Sequence, residues 1–158
     1  MAKILIGFMG SGKSTIAGLL DENFIDMDAL ITEKIGMPIA DFFATKGEAA
    51  FRQVEAETLA ELADSNSVIA TGGGVVTSPA NRDILARNSE TIYLKADFAT
   101  LYNRIARDEA NVRPLFVNNS KEEFQAIFDG RQALYEEAAN VIIDVTNKTP
   151  DEIVEEIR

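Results

Sequence analysis

The segment Gly7-Phe8-Met9-Gly10-Ser11-Gly12-Lys13-Ser14 carries the residue types and spacing that most plainly imply chemistry, and it directly follows the apolar run Ile4-Leu5-Ile6. Glycine has no Cβ, so successive backbone N–H groups in such a loop can converge on phosphate oxygens. A helix starting behind the loop turns its positive end to the same place. Read as a phosphate-binding P-loop, the segment sets Gly10, Ser11, Gly12 and Thr15 around the phosphates of ATP. Lys13 reaches the β- and γ-phosphates, and the Ser14 hydroxyl goes to Mg2+.

Other capable side chains lie downstream. Asp26 and Asp28 flank Met27. One carboxylate there could hold water on magnesium and the other could accept a proton from a substrate hydroxyl, although Asp28 is also the type of residue that caps a helix. Gly72-Gly73-Gly74 either offers N–H groups to a polar ligand or is simply flexible. Arg52 has Glu48 and Glu55 at ion-pair spacing, so it reads equally as an anion ligand or a paired helix arginine, and Arg131 shares that ambiguity. Arg113 sits among Asn111, Asn118 and Asn119. It suits a lid that closes over phosphates and supplies an arginine finger from the same chain, against the alternative of a solvated loop arginine. Arg104 and Arg107 read as solvated unless such a lid folds them in.

Composition narrows the options. The chain has 158 residues, 46% of them apolar, which suits one globular domain over 1–158 with a real core. It contains no cysteine and no histidine. Disulfides, thiol nucleophiles, the usual zinc ligands and histidine acid–base catalysis are therefore excluded together, and a general base must be a carboxylate, a lysine or water. The net charge of −11, with only 15 Lys and Arg, disfavours a nucleic-acid partner. Apolar runs are short and strand-like, and the first strand begins at the N-terminus. The expectation is a cytoplasmic monomer with no signal peptide and no membrane partner.

The elements that must position these residues alternate. Strands are expected over Ala2–Phe8, Phe24-Ile25, Ser67–Thr71, Thr91–Leu94 and Val141–Val145. Helices are expected over Lys13–Leu20, Asp28–Ile35, a short one opened by Pro38 at its first position, and Gly47–Ala63 with an apolar stripe of Phe51, Val54, Thr58, Leu59 and Leu62. Further helices run from Ser78-Pro79 to about Arg87 and over Phe98–Asp108. Another extends from a capping box of Ser120 and Glu123 to about Ala138, and the last is capped by Thr149-Pro150-Asp151-Glu152. Glu109–Asn119 reads as a polar loop. Such alternation predicts an α/β domain with a mostly parallel sheet and helices on both faces. Ligands of such sheets bind beyond the carboxyl ends of the strands. The P-loop, Asp26-Met27-Asp28 and the triple glycine all fall there.

In this order and spacing, the P-loop with Thr15, Asp26-Met27-Asp28, Gly47-Glu48-Ala49-Ala50-Phe51-Arg52, Thr71 with the triple glycine, Arg113-Pro114-Leu115, and Arg131 with Leu134-Tyr135 resemble the shikimate kinase family. The resemblance runs essentially end to end. It implies a three-layer P-loop kinase fold with a five-stranded parallel sheet in the order 2-3-1-4-5, a substrate-binding helical region over about 28–63 and a lid over about 109–119. It also implies transfer of the γ-phosphoryl of ATP to the 3-hydroxyl of shikimate, a step of chorismate and aromatic amino acid biosynthesis. Lys13 and Arg113 become phosphate clamps, with Ser14 and Asp26 on the metal. Asp28 becomes the candidate base on the substrate diol. Arg52 and Arg131 become the grip on the shikimate carboxylate, Gly72, Gly73 and Gly74 a floor of N–H donors, and Arg107 and Lys148 neighbours of the adenine. Two departures stand out: only eleven residues separate Ser14 from Asp26, about one helical turn fewer than the family usually has, and Ala133 replaces a common proline. The alternatives are another small-molecule P-loop kinase, for a nucleoside monophosphate or gluconate, and a catalytically silent nucleotide-binding module.

Overall fold

A computed structural model describes residues 2–107 and 114–158. The element order is β1 (Lys3–Ile6), α1 (Lys13–Leu20), β2 (Ile25–Asp26), α2 (Met27–Ile35), α3 (Ile39–Lys46), α4 (Glu48–Ala63) and β3 (Val68–Ala70). A 3-10 turn (Val75–Thr77), α5 (Pro79–Arg87), β4 (Thr91–Lys95), α6 (Phe98–Arg107), α7 (Pro114–Val117), α8 (Lys121–Ala138), β5 (Val141–Asp144) and α9 (Pro150–Ile157) follow. The strands form a five-stranded sheet, paired parallel throughout in the order β2-β3-β1-β4-β5. This is the order that the resemblance implied.

The core is built on β1. Ile4, Leu5 and Ile6 are all fully buried. Successive side chains of a strand point to opposite faces, so full burial of three in a row means that both faces of the sheet are covered. Each such side chain contributes about 1.5–3 kcal/mol. On the sheet, α1 packs with α9 against β1 and β3, while α5 lies between α4 and α8 and α8 reaches β4. No helix among the described residues is long and apolar enough to cross a membrane.

Register aligns the functional loops. Leu5 and Asp26 both pair with Ala70. The chain therefore leaves β1, β2 and β3 at one level, and Thr71 ties that edge together by donating its hydroxyl to the Leu5 carbonyl at 2.8 Å. The first helix has eight residues, from Lys13 directly behind the P-loop to Leu20.

Some boundaries differ from the sequence expectation. Pro38 precedes the first turn of α3 rather than opening it, because its ψ of 147° is extended and helical geometry begins at Ile39. On α4 the position expected of Val54 is only half-buried, whereas Glu55 is fully buried. The stretch 109–119 is not wholly a polar loop: Pro114–Val117 is a helical turn, and Phe116 packs on Tyr102 and Phe124 with centroids 5.3 and 5.6 Å away. The apolar run Leu115-Phe116-Val117 supplies the reason, since an aromatic ring gains more against that cluster than in water. Both expected capping boxes form, at Ser120 with Glu123 and at Thr149 with Glu152. Ser78 precedes Pro79 as expected, but its hydroxyl makes no cap hydrogen bond.

Candidate active site

Gly12 opens α1 with φ 94° and ψ 20°, a left-handed conformation in which a side chain would be strained. A Cβ there would meet nothing within 4 Å, so backbone angle rather than space demands the glycine. Lys13, the first residue of α1, folds its ammonium back onto the loop and donates to the Gly7 and Phe8 carbonyls. Ser14 and Thr15 are exposed at the helix start. The Ser11 hydroxyl turns inward, buried without a hydrogen-bond partner among the described residues. Its place in the loop is therefore a backbone role.

A cavity of about 500 Å³ opens in front of this helix end, lined by Gly10, Gly12, Lys13 and Ser14 on one side and by Asp26, Asp28, Gly72 and Gly73 on the other. The second strand, two residues long, hands over at Asp26, which caps α2 by accepting from the Ala29 N–H at 3.2 Å. Asp26, not Asp28, is therefore the N-cap. Asp28, the second residue of α2, lies in its first turn with no capping duty, half-buried and beside Gly72.

Burial raises the Asp28 carboxyl pKa above its ordinary value, reinforced by the neighbouring charges of Asp26 and Glu55 and opposed by those of Lys13 and Arg52. A carboxylate so tuned accepts a proton more readily than a solvated one. The exposed Ser14 hydroxyl and Asp26 carboxylate, both lining this cavity, are hard oxygen donors, a set that suits magnesium completed by phosphate and water rather than a closed protein cage.

The triple glycine is explained by space. A Cβ on Gly72 would lie 2.7 Å from an Asp28 carboxylate oxygen. One on Gly74 would lie 2.9 Å from Arg52 Nη2 and 3.5 Å from Arg131 Nη2. Gly72 and Gly74 thus let one carboxylate and two guanidinium groups from α2, α4 and α8 close around a single strand exit, whereas a Cβ on Gly73 would meet only ordinary contacts. Flexibility is not the reason, since none of the three has a positive φ. Arg52 stacks over Phe51 and Arg131 over Phe8, 5.3 and 5.9 Å from the ring centroids. These aromatic faces hold both guanidiniums without consuming their N–H donors.

Arg52 is also gripped from behind. Its Nη1 meets the buried Glu55 carboxylate at 2.8 Å, and Asn81 donates to the same Glu55 oxygen at 2.8 Å and to the Val75 carbonyl at 3.0 Å. The buried Arg52 Nε makes no hydrogen bond among the described residues but lies 3.6 Å from the exposed Glu48 carboxylate, a helix pair that the sequence allowed. The pair with Glu55 is instead a buried positioning network. Its signal in the sequence, one acidic residue beside an apolar stripe, became readable only with Asn81 packed against it.

A second cavity, of about 290 Å³, flanks the other side of the P-loop and is lined by Gly10, Thr15, Arg104, Lys148 and Pro150. Lys148 lines this cavity and is held by Glu156 at 2.6 Å. Arg107 is exposed and lines neither cavity. Arg104, read from sequence as solvated, donates to the Gly10 carbonyl at 3.2 Å and lines this cavity in its stead. Arg113 lies outside the described residues, as does the lid from 109 to 113. A larger cavity of about 700 Å³ at the ends of β4 and β5 shares Lys148 in its lining, with Lys95 paired to Glu136 and Asp144 accepting from the Thr146 N–H.

Known proteins resemble this chain over its whole length. The family model described as shikimate kinase matches residues 9–158. A shikimate kinase of Streptococcus gordonii is 55% identical over 159 residues, covering 100% of this chain and 99% of its own. One of Lactococcus lactis is 50% identical over 158 residues, covering 100% and 96%. Among solved structures, the shikimate kinase from Acinetobacter baumannii in complex with shikimate superposes with a TM-score of 0.87 at 32% identity, over 99% of this chain and 89% of that one. With a matching sheet order and a P-loop facing a carboxylate and two arginines, this chain belongs to the shikimate kinase family.

Proposed function

We infer that the chain transfers the γ-phosphoryl group of ATP to the 3-hydroxyl of shikimate, giving ADP and shikimate 3-phosphate. The observation that carries the residue roles is the meeting of Asp28, Arg52 and Arg131 at the triple glycine, across one cavity from Lys13. Two guanidiniums side by side suit a carboxylate, which each can bind through a pair of N–H groups. Asp28 then faces the ring hydroxyls on the side toward the P-loop.

In the reaction the acceptor oxygen bonds to the γ-phosphorus as the bond from that phosphorus to the β-bridging oxygen breaks, and ADP leaves with the electron pair. Asp28 orients the hydroxyl and takes its proton. Lys13 and the loop N–H groups hold the charge on the transferring and leaving oxygens, where the water-poor site makes each interaction worth more than in solvent. Lys13 must exchange its two carbonyl partners for phosphate oxygens, and Arg113 reaches over from the lid as the second clamp. Ser14, with Asp26 through water, would hold magnesium, which would supply neutralisation of the phosphate charge. Lys148 borders the adenine, with Arg107 outside it and Arg104 supporting the loop. The protein acts as a monomer in the cytoplasm.

A coupled ADP-release assay tests this. Turnover should require shikimate, and gluconate or a nucleoside monophosphate should not replace it. ADP release that ignores shikimate would contradict the assignment.

A further inference from the structure

Tyr135 is fully buried on α8, one turn beyond Arg131, and has no part in the reaction as described so far. Its ring stacks on Tyr93 of β4, with centroids 5.1 Å apart and planes inclined by 28°. Its hydroxyl does something a core tyrosine need not do. It donates to the carbonyl of Gly73, 62 residues away in sequence. The Arg131 guanidinium lies close to the same peptide, its Nη1 4.0 Å from where a Cβ on Gly73 would sit, and its charge acts on the phenol.

One phenol therefore joins two parts of the acceptor site. A peptide unit is planar, so anchoring the Gly73 carbonyl also fixes the direction of the Gly74 N–H. Three consecutive glycines have no side chains to hold them and lose more backbone freedom on ordering than any other residues. Gly74 is also where the Arg131 and Arg52 guanidiniums converge. Burial pushes the phenol well above its usual pKa, with the Arg131 charge opposing the rise, so the hydroxyl stays protonated and able to donate.

We infer that Tyr135 is a positioning residue for the phosphoryl acceptor, its hydroxyl holding the Gly73 carbonyl and the Arg131 guanidinium together so that the Gly74 N–H and the arginine meet the acceptor's carboxylate preformed. The inference rests on the assignment of Arg131 and the triple glycine to shikimate. It goes beyond that assignment by making their geometry depend on a side chain that never touches the substrate.

Tyr135→Phe keeps the ring and its stacking and removes only the hydroxyl. Steady-state kinetics should show shikimate KM raised roughly three- to tenfold, the effect of one lost buried hydrogen bond transmitted to the site. ATP KM should stay within about twofold, and Tm should fall by no more than about 2–4 °C. A merely structural tyrosine would lower Tm and leave both KM values alone, which would overturn the inference, as would equal rises in the two KM values. Arg131→Ala, measured alongside, separates the two ideas. If it raises shikimate KM while Tyr135→Phe behaves as wild type, only the Tyr135 inference fails. If Arg131→Ala leaves shikimate KM unchanged, the site assignment fails and the inference with it.

Discussion

Asp28 sits in the first turn of a helix with no capping role, and burial together with two neighbouring carboxylates raises its pKa. A base that must be ionised to work then gives kcat/KM an acid limb above the usual carboxylate range. Asp28→Asn should lower kcat by roughly two to four decades, whereas a near-normal kcat would confine Asp28 to holding the hydroxyl. The same shift has a stability consequence. With its folded pKa above the unfolded one, the folded chain binds the proton more tightly, so stability is greatest below the unfolded value and declines as pH rises through the folded value. Asp28→Asn should therefore raise Tm near neutral pH, and that advantage should shrink as the pH is lowered toward about 4, a trend that thermal melts across pH would check. For Arg52 the choice of substitution decides what is learned. Alanine would strip the buried Glu55 of its charge partner and cost about 2–4 kcal/mol of stability, mixing folding with binding. Arg52→Lys keeps the charge and loses the two-pronged grip, so it should raise shikimate KM by about tenfold and spare ATP KM.

At the scale of elements, the strand exits and helix starts carry the function, and two of them invite substitution. Gly74→Ala would put a Cβ 2.9 Å from Arg52 Nη2. The long guanidinium arm can yield, so the fold should survive while shikimate KM rises by about tenfold or more, read by kinetics alongside Tm. The capping boxes test local stability instead. Ser120→Ala should cost about 1 kcal/mol in chemical denaturation, while Ser78→Ala, whose hydroxyl caps nothing, should be close to neutral. The P-loop, the alternation of strands and helices, and both boxes were legible in the sequence because each depends on residues a few positions apart. Glu55 and Arg104 were not. Glu55 is buried by contact with Asn81, 26 residues on, and Arg104 reaches a carbonyl 94 residues back. Similarly, Phe116 turned an expected polar loop into a docked helical turn because an aromatic cluster was there to receive it.

For the whole molecule, parallel register brings the exits of β1, β2 and β3 to one level, and helices from three separate stretches of chain aim Asp28, Arg52 and Arg131 at that edge. The first helix begins at Lys13, directly behind the P-loop, which keeps Ser14 at that same edge. The family resemblance could name those three residues from their motifs. Only packing shows that glycine is required at 72 and 74 for space rather than for conformation. The central claim is that Arg52 and Arg131 bind the acceptor's carboxylate over Gly74 while Asp28 holds the hydroxyl that is phosphorylated. A crystal structure with ADP and shikimate bound tests it most directly. The account predicts the carboxylate between the two guanidiniums and the 3-hydroxyl about 2.6–3.2 Å from an Asp28 oxygen. A carboxylate seated elsewhere, or a 3-hydroxyl turned away from Asp28, would contradict it.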